Sequence, residues 1–215
     1  VARGRSAGYD DQREAILRHA ARLFARSGYV GTSMNQVAEA AGLSKASLYH
    51  YYRDKYAMLV QIAEGHVRTL ETLVCEVQAQ GLAPAATVRR LVERIISEYA
   101  DAQDAHRVLT EDVRFLDPDD RERILGVERR VVAGFAQAIG AWQPQQADAG
   151  LTKPLTMLLF GMINWLFTWH RPDGGLTHDQ LAPIVADLFF AGVPGVRAPA
   201  ATPSLSPKTP VGDTA

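Results

Sequence analysis

Residues 32–55 read TSMNQVAEAAGLSKASLYHYYRDK, and the architecture is decided there. Thr32 and Ser33 offer side-chain oxygens to the unpaired first amides of a helix, after which Met34, Val37, Ala38 and Ala41 recur at helical spacing on one face. Gly42 ends that helix, because a residue without Cβ takes the left-handed conformation that turns the chain. Ser44 then caps a second short helix, which Leu43 and Leu48 pack back onto the first. Two short helices joined by a Gly-containing turn of about 3–4 residues form a helix-turn-helix, whose second helix fits the DNA major groove. The remaining side chains suit phosphates and base edges better than a core. Lys45 brings charge, Ser47, Tyr49 and Tyr51 bring hydroxyls, His50 stands among them, and Lys55 adds a cation at the start of the next helix. Tyr52 is expected in the core.

Upstream, Phe24 leads to Gly28-Tyr29. Then come Thr32-Ser33-Met34, Val37-Ala38, Ala41-Gly42-Leu43-Ser44, Ser47-Leu48-Tyr49, Tyr51-Tyr52 and Asp54-Lys55. This series resembles the DNA-binding domain of the TetR family of transcriptional repressors. It departs at Ala46, Tyr52 and Tyr56, where the family more often has Gly, Phe and an acidic residue; none of these changes removes a donor. The resemblance implies DNA contacts through Thr32, Ser33, Asn35, Lys45, Ala46, Ser47, Tyr49, His50, Tyr51 and Lys55. It also implies a homodimer joined through the last two long helices, a palindromic operator in double-stranded DNA, and a small hydrophobic effector held in the larger domain.

Charge is distributed accordingly. The chain of 215 residues has a formal net charge of −1, yet residues 1–56 carry nine Lys/Arg against five Asp/Glu, leaving fourteen against nineteen for the rest. A basic head on an acidic body is the polarity expected if only the head meets nucleic acid. The single cysteine, Cys75, excludes an internal disulfide, agrees with a reducing cytoplasm, and falls in a helical pattern that predicts a buried structural thiol. No signal region is evident, and the most apolar run, 155–169, is shorter than the roughly 20 residues that span a bilayer, so a soluble cytoplasmic protein without membrane contact is expected.

The chain reads as all-α with about nine helices. Residues 1–9, with Arg3 and Arg5, read as a flexible basic arm, 10–56 as the helix-turn-helix domain, 57–192 as a helical effector-binding and dimerisation domain, and 193–215, rich in proline, as a disordered tail. Within the body, a long helix from Lys55 to about Gln80 forms a lever between the halves. Helices follow over roughly 85–101 and 105–115, then from Asp117-Pro118 to about Trp142. A loop spans 143–150, Leu151 to His170 is apolar almost all round, and Thr177 with Gln180 forms a capping box for the last helix. Asp117, Asp119 and Asp120 read as charges at a helix start rather than as a metal site.

Candidate effector-lining residues are Tyr99, Phe115, Phe135, Met162, Trp165 and Trp169, with Asn164 and Thr168 available to orient a ligand; the same aromatics suit the core of a dimer. Segments 109–125 and 155–181 resemble TetR-type regulators of fatty-acid, steroid and aromatic-acid breakdown, several of which respond to acyl-CoA thioesters. That resemblance implies cations for the phosphates, and Arg89, Arg90, Arg129 and Arg130 are available. No nucleophile elbow, phosphate-cradling Gly loop, H-E-x-x-H or other cofactor or metal motif is found, which argues against an enzyme. The alternative within DNA binding is an effector-independent protein or an activator.

Overall fold

A computed structural model describes residues 7–170 and 175–196, among which the chain forms ten α-helices and no strand. They are α1 (Ala7–Gly31), α2 (Met34–Ala40), α3 (Lys45–Tyr51), α4 (Lys55–Ala79), α5 (Pro84–Asp101), α6 (Gln103–Glu111), α7 (Pro118–Trp142), α8 (Pro144–Asp148), α9 (Thr152–Trp169) and α10 (His178–Gly192). Two 3₁₀ turns, Val113–Phe115 and Val193–Gly195, follow α6 and α10.

Their boundaries follow the local chemistry. α1 is broken at Gly28, whose φ of 75° lies in the left-handed region. α4 starts where the Asp54 carboxylate accepts the Ala57 amide at 2.7 Å. α10 starts at the expected Thr177–Gln180 capping box. Asp117, in contrast, makes no side-chain cap for α7, and Pro118 at the first turn suffices to set the backbone there. The loop expected over 143–150 contains α8, for which Pro144 plays the same part.

The apolar side chains separate into two buried groups. One holds Ile16 and Phe24 of α1, Val37 of α2, Leu48 of α3 and Met58 of α4, and continues into Val108 of α6 and Ile124 of α7. The other joins Val77, Ile95, Phe135, Leu159 and Val185 of α4, α5, α7, α9 and α10. α4 passes from the first group to the second between Val67 and Leu70, and α7 does so between Val127 and Val131. The core beneath the helix-turn-helix thus extends past residue 56, with α1 seated on α6 and α4.

Several expectations are corrected at the edges. Ala7–Tyr9, assigned to the arm, form the first turn of α1, while Arg3 and Arg5 lie outside the described residues. Residues 193–196, assigned to the tail, are held because Gln146 Nε2 donates to the carbonyls of Val193 and Val196 at 3.3 and 2.9 Å and Val193 is buried. The rest of the tail and turn residues 171–174 lie outside the described residues. Cys75 is exposed rather than buried, since it faces away from the α4 stripe of Leu70, Leu73, Val74 and Val77.

α4 and α7 pack tightly at Gly134, where an added Cβ would overlap Cγ1 of Val74. Val74 is β-branched and has few rotamers into which to retreat. Gly134→Ala should therefore lower the unfolding free energy by about 1–3 kcal/mol in chemical denaturation despite the better helix propensity of Ala. Adding Val74→Ala to that variant should cost less than the sum of the two single changes, whereas strict additivity would mean the two positions do not clash.

Candidate nucleic-acid interface and the layer behind it

The turn between α2 and α3 is built entirely from local hydrogen bonds. Ser33 Oγ accepts the Gln36 amide at 3.3 Å while Gln36 Oε1 accepts the Ser33 amide at 2.8 Å, closing a capping box. At the other end of α2, the amides of Gly42 and Leu43 donate to the carbonyls of Glu39 and Ala38 at 3.1 and 2.9 Å, with Gly42 at φ 66°. This paired closure needs a left-handed residue, which Gly supplies without strain. Ser44 Oγ accepts the Ser47 amide at 3.0 Å and starts α3, whose buried anchor is Leu48.

With Leu48 facing inward, the outward surface of α2 and α3 includes Ser33, Asn35, Lys45, Ala46, Tyr49 and His50, all exposed, flanked by half-buried Ser47 and Tyr51. Tyr49 is 47% exposed, unusual for a tyrosine with core available nearby. Tyr51 is braced instead. Its ring stacks on Tyr9 at 4.9 Å, and Tyr9 donates its hydroxyl to the His50 carbonyl at 3.4 Å. Tyr52 is buried as expected and donates to the Arg13 carbonyl at 3.3 Å.

Thr32 and Lys55 occupy a different setting from the other candidates. Thr32 is buried, and its hydroxyl donates to the carbonyls of Gly28 and Leu23 at 3.0 and 3.3 Å. The Lys55 ammonium donates to the carbonyls of Tyr29 and Thr32, the latter at 2.7 Å, and lies 4.3 Å from the centre of the Tyr29 ring. Burial lowers its pKa while Asp112 nearby raises it. Both side chains hold together the end of α1 and the start of α2, so they position the reading surface from behind.

The candidate effector residues are not brought to one chamber. Phe135 is fully buried against Phe160, with ring centres 4.8 Å apart, and Met162 packs on the same core. Phe115 lies in the other buried group, 5.5 Å from the Tyr29 ring, because the break after α6 turns the chain back towards the head. Trp165 and Trp169 are 65% and 53% exposed, and Thr168 donates back to the Trp165 carbonyl at 2.6 Å. Asn164 Oδ1 is buried without a hydrogen-bond partner among the described residues. Tyr99 is buried where the two cores meet and stacks on His106 at 3.7 Å.

Comparison with known proteins adds to this geometry. Residues 16–62 match the family described as bacterial regulatory proteins, tetR family, and residues 81–193 match the tetracyclin repressor-like C-terminal domain. The chain belongs to the TetR family. It is similar to the HTH-type transcriptional repressor KstR2 of Rhodococcus jostii, at 27% identity over 194 residues, covering 87% of this chain and 94% of the relative. A crystal structure of a TetR-family regulator from Bordetella parapertussis superimposes with a TM-score of 0.80 at 32% identity, covering 87% of this chain and 98% of that one. AibR in complex with isovaleryl coenzyme A and operator DNA superimposes with a TM-score of 0.70 at 26% identity, covering 82% and 97%. As a TetR-family chain this is a DNA-binding transcriptional regulator, with its helix-turn-helix inside the matched N-terminal region.

Behind the head of this TetR-family protein lies a polar layer that sequence reasoning missed. His66 of α4 and His106 of α6 are buried, with His66 Nε2 and His106 Nδ1 3.3 Å apart. Burial holds His66 down to about 4, and burial together with the neighbouring His66 holds His106 down to about 3. Burial, and after it the charge of nearby Glu128 on α7, raises the pKa of Tyr99, and burial raises that of Glu128 itself. The available signal was a histidine at an apolar stripe position, between Ala63 and Leu70 on α4. The four arginines expected to meet phosphates are each paired: Arg89 with Asp187 at 2.9 Å, Arg90 with Glu93 at 3.3 Å, Arg130 with Glu71 at 2.6 Å, and Arg129 with Glu122.

The two histidines have folded-state pKa values below their unfolded values, so the unfolded chain takes up their protons first and stability falls as pH drops from about 6.5 towards 4. A pKa that differs by one between the folded and unfolded chain corresponds to about 1.4 kcal/mol. Glu98, Glu128 and Asp112 have raised values and act in the opposite sense. Denaturant midpoints between pH 7 and 5 should therefore fall more steeply for the parent protein than for a His66→Gln/His106→Gln variant. Parallel profiles would show that the pair does not carry the dependence.

Proposed function

We propose that this regulator is a homodimeric repressor that reads a palindromic operator in double-stranded DNA and is released by a small hydrophobic effector. The observation that carries the DNA reading is α3: Leu48 holds one side in the core, which leaves Lys45, Ala46, Tyr49 and His50 outward. Ser33, Asn35, Ser47 and Tyr51 border that surface, with Thr32 and Lys55 supporting it from within. Phosphate contacts set register, and base-edge contacts from α3 set sequence preference.

The homodimer is supported by an uncovered apolar face. Met157, Leu158, Trp165 and Trp169 of α9 and Ile184 and Leu188 of α10 are all exposed. Exposed apolar side chains on both of the last two long helices support an association face there, and two-fold pairing would space the two α3 helices for successive major-groove turns.

For the effector, an acyl-CoA thioester is the class proposed, supported by the likeness to AibR, which was solved with isovaleryl coenzyme A. Asn164 Oδ1, an acceptor in need of a donor, and the polar layer of His66, Tyr99 and His106 offer groups for the acyl end. The arginine ion pairs would have to exchange carboxylate for phosphate.

DNA binding to the region upstream of the gene should weaken steeply with salt, with each lost phosphate contact lowering the log–log slope by about 1. Lys45→Ala should reduce affinity at least about tenfold and flatten that slope, and Lys45→Ala/Tyr49→Ala should abolish binding with helicity unchanged. Release by isovaleryl- or phenylacetyl-CoA in the same assay supports the effector class. Salt-independent binding would defeat the DNA reading, and DNA retention against the whole thioester series would defeat the effector class alone.

A further inference from the structure

A cleft of about 340 Å³ opens between the head and the body. Leu17 and Ala21 of α1 form one wall, Ile62 of α4 and Ala105 of α6 form another, and Glu98 of α5 and His66 of α4 add the polar groups. It lies outside the cores that hold Phe135 and Met162, and its walls come from both parts of the molecule.

The charges around this cleft are unequal in their partners. Glu14, at the rim, pairs with Arg18 at 3.7 Å, and Arg94, which faces Glu98, is engaged with Glu76 at 3.2 Å. Glu98 makes no ion pair or side-chain hydrogen bond among the described residues. Burial holds its carboxyl above the usual range, Asp101 adds to this and Arg94 opposes it; Arg18, the cation that lines the cleft, is engaged by Glu14, so no cation in the cleft is paired with Glu98. His66 cannot supply that charge, since burial keeps its imidazole neutral at ordinary pH.

We propose that this cleft binds a small organic ammonium ion, its nitrogen on the Glu98 carboxylate and its apolar body against Leu17, Ala21 and Ile62. A neutral ligand of the same shape gains the apolar contact but leaves the carboxylate uncompensated. The volume falls in the range of small-molecule sites. The occupant touches α1, which carries the head, and α5, which belongs to the body, at the same time. His66 lines this cleft and also belongs to the polar layer named for the acyl end, while Glu98, on which the ammonium sits, has no part in the acyl-CoA reading.

The test is calorimetric titration of the full chain with phenethylamine, butylamine and tryptamine, and with phenethyl alcohol as the neutral match. One ammonium ion per chain should bind, and the alcohol should bind at least about tenfold more weakly. Glu98→Gln, nearly isosteric, should weaken amine binding at least about tenfold while operator affinity without amine stays within about twofold. Glu14→Gln, at the rim, should leave amine binding within about twofold. Methyl resonances of Ala21, Ile62 and Ala105 should shift with the amine. Equal binding of amine and alcohol, undiminished binding by Glu98→Gln, or no binding of any of the three amines up to about 10 mM would each overturn the proposal.

Discussion

The root of α4 holds the molecule together. Three consecutive residues each make a different kind of bond there. Asp54 caps the helix through one carboxylate oxygen and pairs with Arg53 at 2.9 Å through the other. Lys55 gathers the carbonyls left at the end of α1 and the start of α2. Tyr56 donates its hydroxyl to Asp120 at 2.7 Å and accepts the Asp117 amide at 3.0 Å, tying α4 to the start of α7. The carbonyls that Lys55 gathers sit at helix ends, where each would otherwise need water. Removing any of these three side chains would loosen the head and the body together, because the same helical turn serves both.

The second constraint is the layer where the two cores meet. A continuous apolar core would fix α4 and α7 along their whole length. Here His66, Tyr99, His106 and Glu128 interrupt it, contributed by four different helices. Groups of this kind stabilise only if their partners remain in place, so the layer is sensitive to small shifts of its helices in a way that Leu and Ile contacts are not. Asp112, buried beside the head, extends the polar link in that direction, its pKa raised by burial and lowered in part by the Tyr29 backbone.

Sequence was most informative where local chemistry sets the outcome. The α2–α3 turn is specified by Ser33, Gly42 and Ser44 within a dozen residues, and all three act as read. Leu48 as the anchor and Tyr49 as an outward ring follow from the same periodicity. Residues whose role depends on distant chain were harder to place. Lys55 reads as a free cation until Tyr29 and Thr32 are brought beside it, and Cys75 reads as buried until the α4 stripe is seen to face the other way. Phe115 follows the short break after α6 into the head rather than into the body, and no helical period reports such a break. The arginines were countable, but their carboxylate partners lie on other helices or other turns.

The arrangement also bears on how a signal in the body would reach α3. A lever alone would transmit a tilt of α4, a helix of 25 residues and so about 37 Å long. The structure contains a second link, because α7 begins at Asp117 and Asp120 against Tyr56, one residue from Lys55. Arg123, one turn further along α7, also pairs with Glu64, in the third turn of α4, and with Asp120, so the N-terminal parts of the two helices are linked by ion pairs. Displacing α7 therefore pulls directly on the turn that carries Lys55, and through it on the end of α1 and the start of α2. Two links acting on one turn make the head respond to shifts of α7 that leave the α4 axis unchanged.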